Sequence, residues 1–325
     1  MNARPRLAGM SRGLWPRALL LVLATFVLVL GAAVADAAPG QPPATRAAST
    51  ARADSTAGAA SAATCNPKAS SLRPSGPPQV TAGSFMARIR ARGFLIAGVD
   101  QSTYHFGFLN PLNGKIEGFD IDMIRAVATA IFGNPDKVEY KAISDAQRIP
   151  DILSGTVDIV AHTMTITCAR LQQVDFSSVY FDAAQRVLVL KNSTAQSLAG
   201  LKGQKVCATT GSDSLAVISA HGAVPVAVPY WTDCLVLLQQ GDVAAISTDD
   251  SILDGLAAQD PWTKLIGPRL TDEPYGLAIS KQHPEFVRFV NGVLQQLRTN
   301  GQWAASYAHW VGPSVPAPPA AQYGG

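Results

Sequence analysis

The chain has 325 residues, of which 47% are hydrophobic, and this composition is typical of a folded globular protein. Its formal charge is +3. Four arginines and one aspartate lie in residues 1–37, so the formal charge of the remaining chain is zero. A neutral chain lacks the basic surface that nucleic-acid binding requires, and we therefore expect no nucleic-acid partner.

The N-terminus carries the pattern of an export signal. Four arginines in the first 17 residues precede an apolar run, ALLLVLATFVLVLGAAVA, at residues 18–35. Small residues at Ala35 and Ala37 form a cleavage motif, so we predict that residues 1–37 are a signal peptide. The apolar run is just long enough to span a bilayer, which leaves an uncleaved N-terminal anchor as the alternative. In both cases the folded protein is exported, and is periplasmic, secreted or membrane-tethered.

Two other segments have the composition of flexible chain. Residues 38–84 are rich in Ala, Pro, Ser and Thr and contain few large apolar side chains. Residues 312–325, GPSVPAPPAAQYGG, are rich in proline, which cannot continue a helix. We predict a flexible linker and a Pro-rich tail, so that the folded part of the chain runs from about residue 85 to 311.

Strand-like and helix-like patterns alternate within the folded part. FLIAGVD at residues 94–100 predicts a buried strand, and FDIDMIRAVATAIFG at residues 119–133 has apolar residues at helical spacing before a closing glycine. VEYKAI, SDAQRIPDILSG and VDIVAHT then repeat the order strand, helix, strand. This alternation predicts an α/β fold with mostly parallel sheets flanked by helices.

A second α/β series follows the first. It includes KVCATT, LAVISAHG, VPVAV, WTDCLVLLQQG, VAAIS and DDSILDGLAA, and two further helices close the chain. Two successive series predict two lobes with a cleft between them. Open parallel sheets bind ligands beyond the carboxyl ends of their strands, so polar residues that follow strands are the candidate site.

The four cysteines all lie beyond the predicted signal peptide. An even number in an exported chain indicates two disulfides, with three possible connectivities. We prefer the pairing of Cys207 with Cys234 and of Cys65 with Cys168, because the first two fall within one compact segment. No spacing typical of zinc ligands is present, so we expect no metal site.

Two groups of polar residues follow strands of the first series. Asp100, with the nearby Tyr104, suits a ligand ammonium group, although a loop aspartate beside core aromatics explains them equally well. Thr163, Thr165 and Arg170 follow the strand VDIVA. The planar guanidinium matches a carboxylate, and neighbouring hydroxyls complete an anion site. The alternative is a surface arginine in a helix that the threonines cap.

Four further candidates complete the predicted cleft. His162 would form a polar wall. Thr209 and Ser212 lie in the turn TTGSDS between a strand and a helix, where ordinary helix capping is the alternative interpretation. Asp249 directly follows the strand VAAIS and suits a ligand amine, while capping of the next helix accounts for at least one acid of the Asp249–Asp250 pair.

No catalytic motif accompanies these candidates. The five histidines lack metal-ligand spacing, no serine lies in a GxSxG motif, and no glycine-rich phosphate loop is present. An enzyme on such a fold, for example a small-acid dehydratase, would need a general acid in the cleft. None of Glu117, Glu139, Glu273 and Glu285 follows a predicted strand there. We therefore expect a binding protein, not an enzyme, and no cofactor.

Several stretches together resemble one family. They include GFDIDM at residues 118–123, TITCAR at 165–170 and NGQW at 300–303, and with the segments between them they cover nearly all of residues 90–311. The chain resembles the bacterial extracellular solute-binding proteins of family 3, periplasmic proteins that capture amino acids for ABC transporters. The likeness is greatest to actinobacterial glutamate, glutamine and aspartate binders.

The resemblance implies a two-lobed periplasmic-binding-protein fold. Two hinge strands, near residues 186–190 and 275–278, would join the lobes. Lobe 1 would comprise residues 85–187 and 279–311, and lobe 2 would comprise residues 188–278. The implied partner is an ABC permease or, as an alternative, a membrane sensor, and we expect a monomer.

The resemblance also implies a role for each candidate. Arg170 would hold the α-carboxylate of a free amino acid and Asp249 its α-ammonium group, with further contacts from Thr163, Thr165, Thr209 and Ser212. Similar glutamate and aspartate binders carry an arginine at the position of Arg148. This favours glutamate first, then aspartate, glutamine or asparagine. Asp213 departs from the family pattern, and its charge opposes an acidic ligand.

Overall fold

A computed structural model describes residues 65–324. The predicted signal peptide and most of the predicted linker lie outside the described residues. Within residues 65–324, none of the helices combines the length and the apolar character needed to cross a bilayer.

Fifteen strands and nine α-helices make up the described part of the chain. The strands are β1 (Leu95–Val99), β2 (Ser102–Thr103), β3 (Gly107–Leu109), β4 (Ile116–Glu117), β5 (Val138–Ala142), β6 (Ile159–Ala161), β7 (Asp175–Phe176), β8 (Phe181–Ala183), β9 (Gln185–Leu190), β10 (Lys205–Thr209), β11 (Val224–Val228), β12 (Ala245–Asp249), β13 (Thr263–Ile266), β14 (Glu273–Tyr275) and β15 (Ala278–Ile279). The helices are α1 (Phe85–Arg92), α2 (Phe119–Phe132), α3 (Arg148–Leu153), α4 (Cys168–Leu171), α5 (Ser214–Ala220), α6 (Trp231–Gln240), α7 (Asp250–Gln259), α8 (Pro284–Thr299) and α9 (Gln302–Trp310).

Each lobe contains one five-stranded sheet, and the α/β prediction is confirmed. The strand order is β5-β1-β6-β15-β7 in lobe 1 and β11-β10-β12-β9-β13 in lobe 2. Four strands of each sheet run in the same direction, while β15 and β9 run antiparallel to both of their neighbours. These reversed strands are the first to enter each sheet after the chain crosses from the other lobe.

The helical pattern predicted at residues 119–133 forms α2, which packs into the core of lobe 1. Phe119, Ile124 and Val127 are among the residues that α2 buries, as their spacing requires. The helix ends at Gly133, whose φ of +72° favours glycine. Lobe 2 has a separate apolar core beneath its own helices, so the two lobes are held together by the contacts described below and by two connecting strands.

The two connecting strands are β8 and β14, which pair with each other and belong to neither large sheet. β9 lies in the lobe 2 sheet from Gln185 onward, and Ala278 already lies in the lobe 1 sheet. The chain therefore crosses between the lobes earlier than the predicted boundaries, which were 187/188 and 278/279. The physical reason is that the ladder hydrogen bonds of each sheet begin immediately after the β8–β14 ribbon.

The ends of the described chain are held against lobe 1. The Asn291 side chain, buried on α8, donates to the Ser71 hydroxyl (2.7 Å) and to the Leu72 carbonyl (2.6 Å). Ser71 also forms a β-bridge with Tyr323. The last part of the predicted linker and the end of the predicted tail thus make specific contacts, in contrast to the flexible segments that their composition predicted.

The structure contains both preferred disulfides. Cys207–Cys234 joins β10 to α6 within lobe 2. Cys65–Cys168 attaches the start of the described chain to α4, the short helix that carries Arg170. The second bond therefore anchors the N-terminal segment two residues away from a predicted ligand-binding side chain.

Candidate functional site

The two lobes meet across a small cavity. Arg148 and Arg170, from lobe 1, both donate to the carbonyl oxygen of Gly211 in lobe 2, at 3.2 and 3.3 Å. The enclosed space measures about 10 Å³, which is room for about one water molecule. An amino acid is much larger, so its capture requires the lobes to separate and close again.

Two glycines allow the lobes to approach this closely. A Cβ atom on Gly211 would lie 2.7 Å from the Cα atom of Ala146, and Gly211 has a φ of +89°. On α7, a Cβ atom on Gly255 would lie 2.6 Å from the carbonyl oxygen of Tyr104. Any larger residue at either position would push the lobes apart.

Arg170 is buried at the lobe interface and has three contacts. Its guanidinium donates to the carbonyl oxygens of Thr165 (2.7 Å) and Gly211 (3.3 Å), and lies 3.5 Å from a carboxylate oxygen of Asp213. The side chain points inward, as the interpretation of an anion site requires, and it is only 10% exposed. Its closest anion is Asp213, which belongs to lobe 2.

Arg148 is fully engaged by protein groups. It forms an ion pair with Asp145 at 2.7 Å and donates to the carbonyl oxygens of Asp145 (3.0 Å), His162 (3.1 Å) and Gly211 (3.2 Å). Burial raises the pKa of Asp145, but the charges of Arg148 and His162 outweigh it, so the pKa is lowered overall. Arg148 therefore lines the cavity with its donors already satisfied.

Thr163 has an unusual backbone conformation at the edge of the cavity. Its φ is +42°, a region that β-branched residues rarely adopt and that often marks functional sites. Its N–H donates to Asp120 (2.7 Å), while its hydroxyl is buried without a hydrogen-bond partner. Thr165 contributes its carbonyl to Arg170, and Thr167 caps α4. These three threonines thus have separate roles.

Thr209 and Ser212 stand on the lobe 2 side. The Thr209 hydroxyl donates to Asp145 across the interface at 2.5 Å, which makes it a contact between the lobes. The Ser212 hydroxyl donates to the carbonyl oxygen of Thr209 at 2.8 Å and lines the cavity. Of the predicted residues, Ser212, Arg148, Thr163 and Asp249 line this space.

Asp249 approaches the cavity at the end of β12. The Tyr275 hydroxyl donates to it at 2.5 Å and is itself 2.7 Å from the Ser251 hydroxyl. Burial, followed by the nearby charges of Glu273 and Asp213, raises the pKa of Asp249 well above its usual range. Asp250 accepts the N–H groups of Ala184 and Ser251 instead, so the two adjacent acids have different partners.

Glu273 was wrongly expected to lie away from the cleft. On β14 it is buried, and its carboxylate accepts the hydroxyl of Thr271. Burial and the charge of Asp213 raise its pKa to about 7. The prediction failed because β14 is a connecting strand, whose position between the lobes is not visible in a strand–helix pattern.

Six of the ten predicted residues do not line the cavity: Thr165, Arg170 and Thr209, described above, and Asp100, Tyr104 and His162. The Asp100 carboxylate accepts the N–H groups of Gln101 and Ser102 and the hydroxyls of Ser102 and Thr103, which closes its own loop. Tyr104 packs against Gly255 between the lobes. His162 is buried with Nε2 2.9 Å from the carbonyl oxygen of Ile143. These contacts support the interpretation of Asp100 as a structural loop residue and not as a ligand contact.

Trp231 is a cavity residue that sequence reasoning missed. It starts α6, lines the cavity, and its buried Nε1–H has no acceptor among residues 65–324. Nothing local in WTDCLVLLQQ separates it from a core tryptophan. Across residues 65–324, no group of three or more His, Cys, Asp or Glu side chains is arranged to hold a metal ion.

Known proteins match this chain over most of the described range. The family model of bacterial extracellular solute-binding proteins, family 3, matches residues 95–313. The glutamine-binding protein GlnH of a Bacillus subtilis ABC transporter is 36% identical over 70% of this chain and 84% of its own length. A glutamate/aspartate import solute-binding protein of Salmonella typhimurium is 26% identical over 72% of this chain and 82% of its own.

The solved structures agree with the two-lobed architecture. The structure of an ancestral arginine-binding protein bound to glutamine is 35% identical, with a TM-score of 0.64, and the match covers 68% of this chain and 99% of the other. Residues 95–313, which the family model matches, include the strands of both lobes, the connecting strands and the cavity residues. The chain belongs to the bacterial extracellular solute-binding proteins, family 3.

Proposed function

We propose that this protein captures a polar amino acid outside the cytoplasm, in the cleft between its lobes, and delivers it to an ABC permease. One observation carries the proposal: Arg170 of lobe 1 and Asp249 of lobe 2 reach the same small interface from opposite sides. A guanidinium suits an α-carboxylate, and a carboxylate suits an α-ammonium group. The two side chains together match the zwitterionic end that all amino acids share.

The positions of Arg170 and Asp249 on opposite lobes suggest how ligand binding changes the surface that a partner recognises. Each lobe holds one end of the ligand, so the ligand binds the closed arrangement more tightly than the open one and drives hinge closure. The β8–β14 ribbon is the natural hinge, because it is the only paired segment shared by the lobes within residues 65–324. A permease or, as an alternative partner, a membrane sensor would recognise the closed surface.

The names of the relatives support an amino-acid ligand but differ on which one. They name glutamine, glutamate, aspartate and arginine. The expectation of glutamate rested on Arg148, whose guanidinium is already paired with Asp145. That pairing removes the main reason to favour a second ligand carboxylate.

A thermal-shift screen of the twenty amino acids, followed by calorimetry, tests the proposal, because a specific ligand stabilises the folded state. Arg170→Ala and Asp249→Asn should each weaken binding of the best ligand on the order of 100-fold, the loss expected when a buried charged contact is removed. Arg125→Ala, on the exposed face of α2, is the matched control. Unchanged affinity in both cleft variants would refute the assignment.

A second candidate function is an enzyme on the same fold. It is favoured by Glu273, because a buried carboxyl group with a pKa near 7 has the property of a general acid. A turnover assay with each bound amino acid and related small acids separates the two functions. Product formation that Glu273→Gln abolishes would favour the enzyme.

A further inference from the structure

Three carboxyl groups gather at one side of the interface. Asp213 lines the cavity beside Arg170, Asp249 lines it at the end of β12, and Glu273 is buried on β14, where the charge of Asp213 contributes to raising its pKa. We call Asp213, Asp249 and Glu273 the acid group. Each member comes from a different element, so only the folded chain brings them together, although Asp213 and Asp249 both belong to lobe 2.

Too little positive charge faces the acid group to balance it. Throughout the described range, Arg170 is the only basic side chain within 4 Å of any of its members, and it approaches only Asp213, at 3.5 Å. Arg148 is paired with Asp145 at 2.7 Å instead. Asp213 is thus the only member of the acid group with an ion-pair partner among the described residues, and burial raises the pKa of Asp249 and of Glu273.

Ligand binding increases this imbalance. In the proposed function the α-carboxylate of the ligand takes Arg170 as its partner, and Asp213 then loses its nearest cation. The α-ammonium group of the ligand offsets the charge of Asp249. Asp213 is left beside the bound ligand without a positive partner, and an unpaired carboxylate at this partly exposed position attracts a cationic group.

Two buried polar atoms are a separate indication that a ligand reaches this space. The Thr163 hydroxyl and the Trp231 Nε1–H line the cavity and have no hydrogen-bond partner among the described residues. Both residues are at least 97% buried, and an unpaired buried donor is costly. The indole N–H can only donate, so the ligand must bring an acceptor such as a carboxylate oxygen. The acid group is not arranged as a metal site, which favours an organic cation as its counter-ion.

We propose that the amino acid captured by this cleft has a cationic side chain, an ammonium or guanidinium group, and that Asp213 and Glu273 select against glutamate and aspartate. This inference rests on the proposed function, in which Arg170 and Asp249 hold the zwitterionic end. It differs from the expectation of glutamate, because the sign of the charge around the ligand is set by Asp213 and Glu273 and not by Arg148.

Calorimetry on the full chain with arginine, lysine, glutamine and glutamate tests the inference. Arginine or lysine should bind at least about 100-fold more tightly than glutamate, since a like charge placed in such a site costs several kcal/mol. A neutral or acidic amino acid as the tightest ligand overturns the inference while amino-acid capture stands. If none of the twenty amino acids binds, the proposed function itself fails.

Charge-neutral variants assign the selectivity to residues. The double variant Asp213→Asn with Glu273→Gln should reduce the ratio of arginine to glutamate affinity at least about 10-fold. Asp242→Asn is the matched control, because it removes one acidic charge from an exposed loop of lobe 2. An unchanged ratio in the double variant, or an equal reduction in the control, contradicts the role of the acid group. A cooperative melting transition, followed by circular dichroism, confirms that the double variant folds.

Discussion

Arg148 and Arg170 stand on the same lobe and donate to the same carbonyl oxygen of Gly211, yet their surroundings differ. Arg148 has an ion pair at 2.7 Å and three carbonyl partners, so its guanidinium is paired with groups of the protein itself. Arg170 has a single anion at 3.5 Å, supplied by the opposite lobe. The contrast teaches that a fully partnered guanidinium holds the lobe together, whereas a loosely partnered one at the interface can exchange its partner for a ligand.

The largest expected effect is a difference in the free energy of unfolding between the alanine variants of the two arginines. Arg148→Ala leaves the buried carboxylate of Asp145 without its partner and should lower the free energy of unfolding by about 3–5 kcal/mol. Arg170→Ala should lower it by less than about 1 kcal/mol, because Asp213 is partly exposed. Denaturant unfolding of the ligand-free variants measures both. Equal losses would mean that the two arginines do not differ in role.

A pH series extends the comparison to the acid group. Burial raises the pKa of Glu273 to about 7, so the folded state holds this proton more tightly than the unfolded chain. The stability that results is fully present below the unfolded pKa and is lost as the pH rises through about 7. We expect a loss of about 1–2 kcal/mol, less than the full shift implies, because Glu273 is coupled to Asp213 and Asp249.

Glu273→Gln should flatten that part of the profile, because glutamine does not titrate. Melting temperatures of the ligand-free proteins between pH 5 and 8 provide the measurement. Glu139→Gln is a suitable control, since Glu139 is exposed on β5, outside the cleft. The same slope in Glu273→Gln and in the unmodified protein would show that Glu273 does not carry the effect.

The smallest expected effect concerns closure alone. Gly255→Ala puts a methyl group 2.6 Å from the Tyr104 carbonyl oxygen of the other lobe, while alanine suits the middle of α7 better than glycine. Ligand affinity should fall about 10-fold, and the ligand-free protein should keep or gain about 0.5–1 kcal/mol of stability. Calorimetry and melting measure the two quantities on one sample. Gly200→Ala, whose Cβ atom would meet only the Ser197 hydroxyl at 4.0 Å, should change neither quantity. A loss of stability without a loss of affinity in Gly255→Ala would contradict the closure role.

Much of the fold follows from local pattern. The spacing of Phe119, Ile124 and Val127 predicted a helix ending at Gly133, and that helix is present. The alternation of strands and helices predicted two α/β lobes, and both are present. The positions where the chain crosses between lobes were predicted a few residues late, because no local signal distinguishes a connecting strand from a sheet strand.

The site was predicted less completely than the fold. Residues directly after strands, such as Asp249 and Ser212, do line the cavity, since the carboxyl ends of parallel strands meet at one edge. Trp231 and Glu273 were missed because each reaches the interface from an element with no distinguishing motif. Asp100 shows the opposite error, since a polar residue at a strand end can instead be used to close its own loop.

The amino-acid sequence by itself determined the helical and strand periods, the position of the closing glycines, and the family to which the chain belongs, because these depend on residues near one another in the chain. Only the tertiary structure decided which acid faces which arginine. Asp145 and Arg148 are three residues apart, but Arg170, Asp213 and Glu273 are separated by 43 residues or more and meet only when the lobes close. Electrostatic energy depends on distance in space, so the charge that a ligand meets in this cleft is a property of the folded chain.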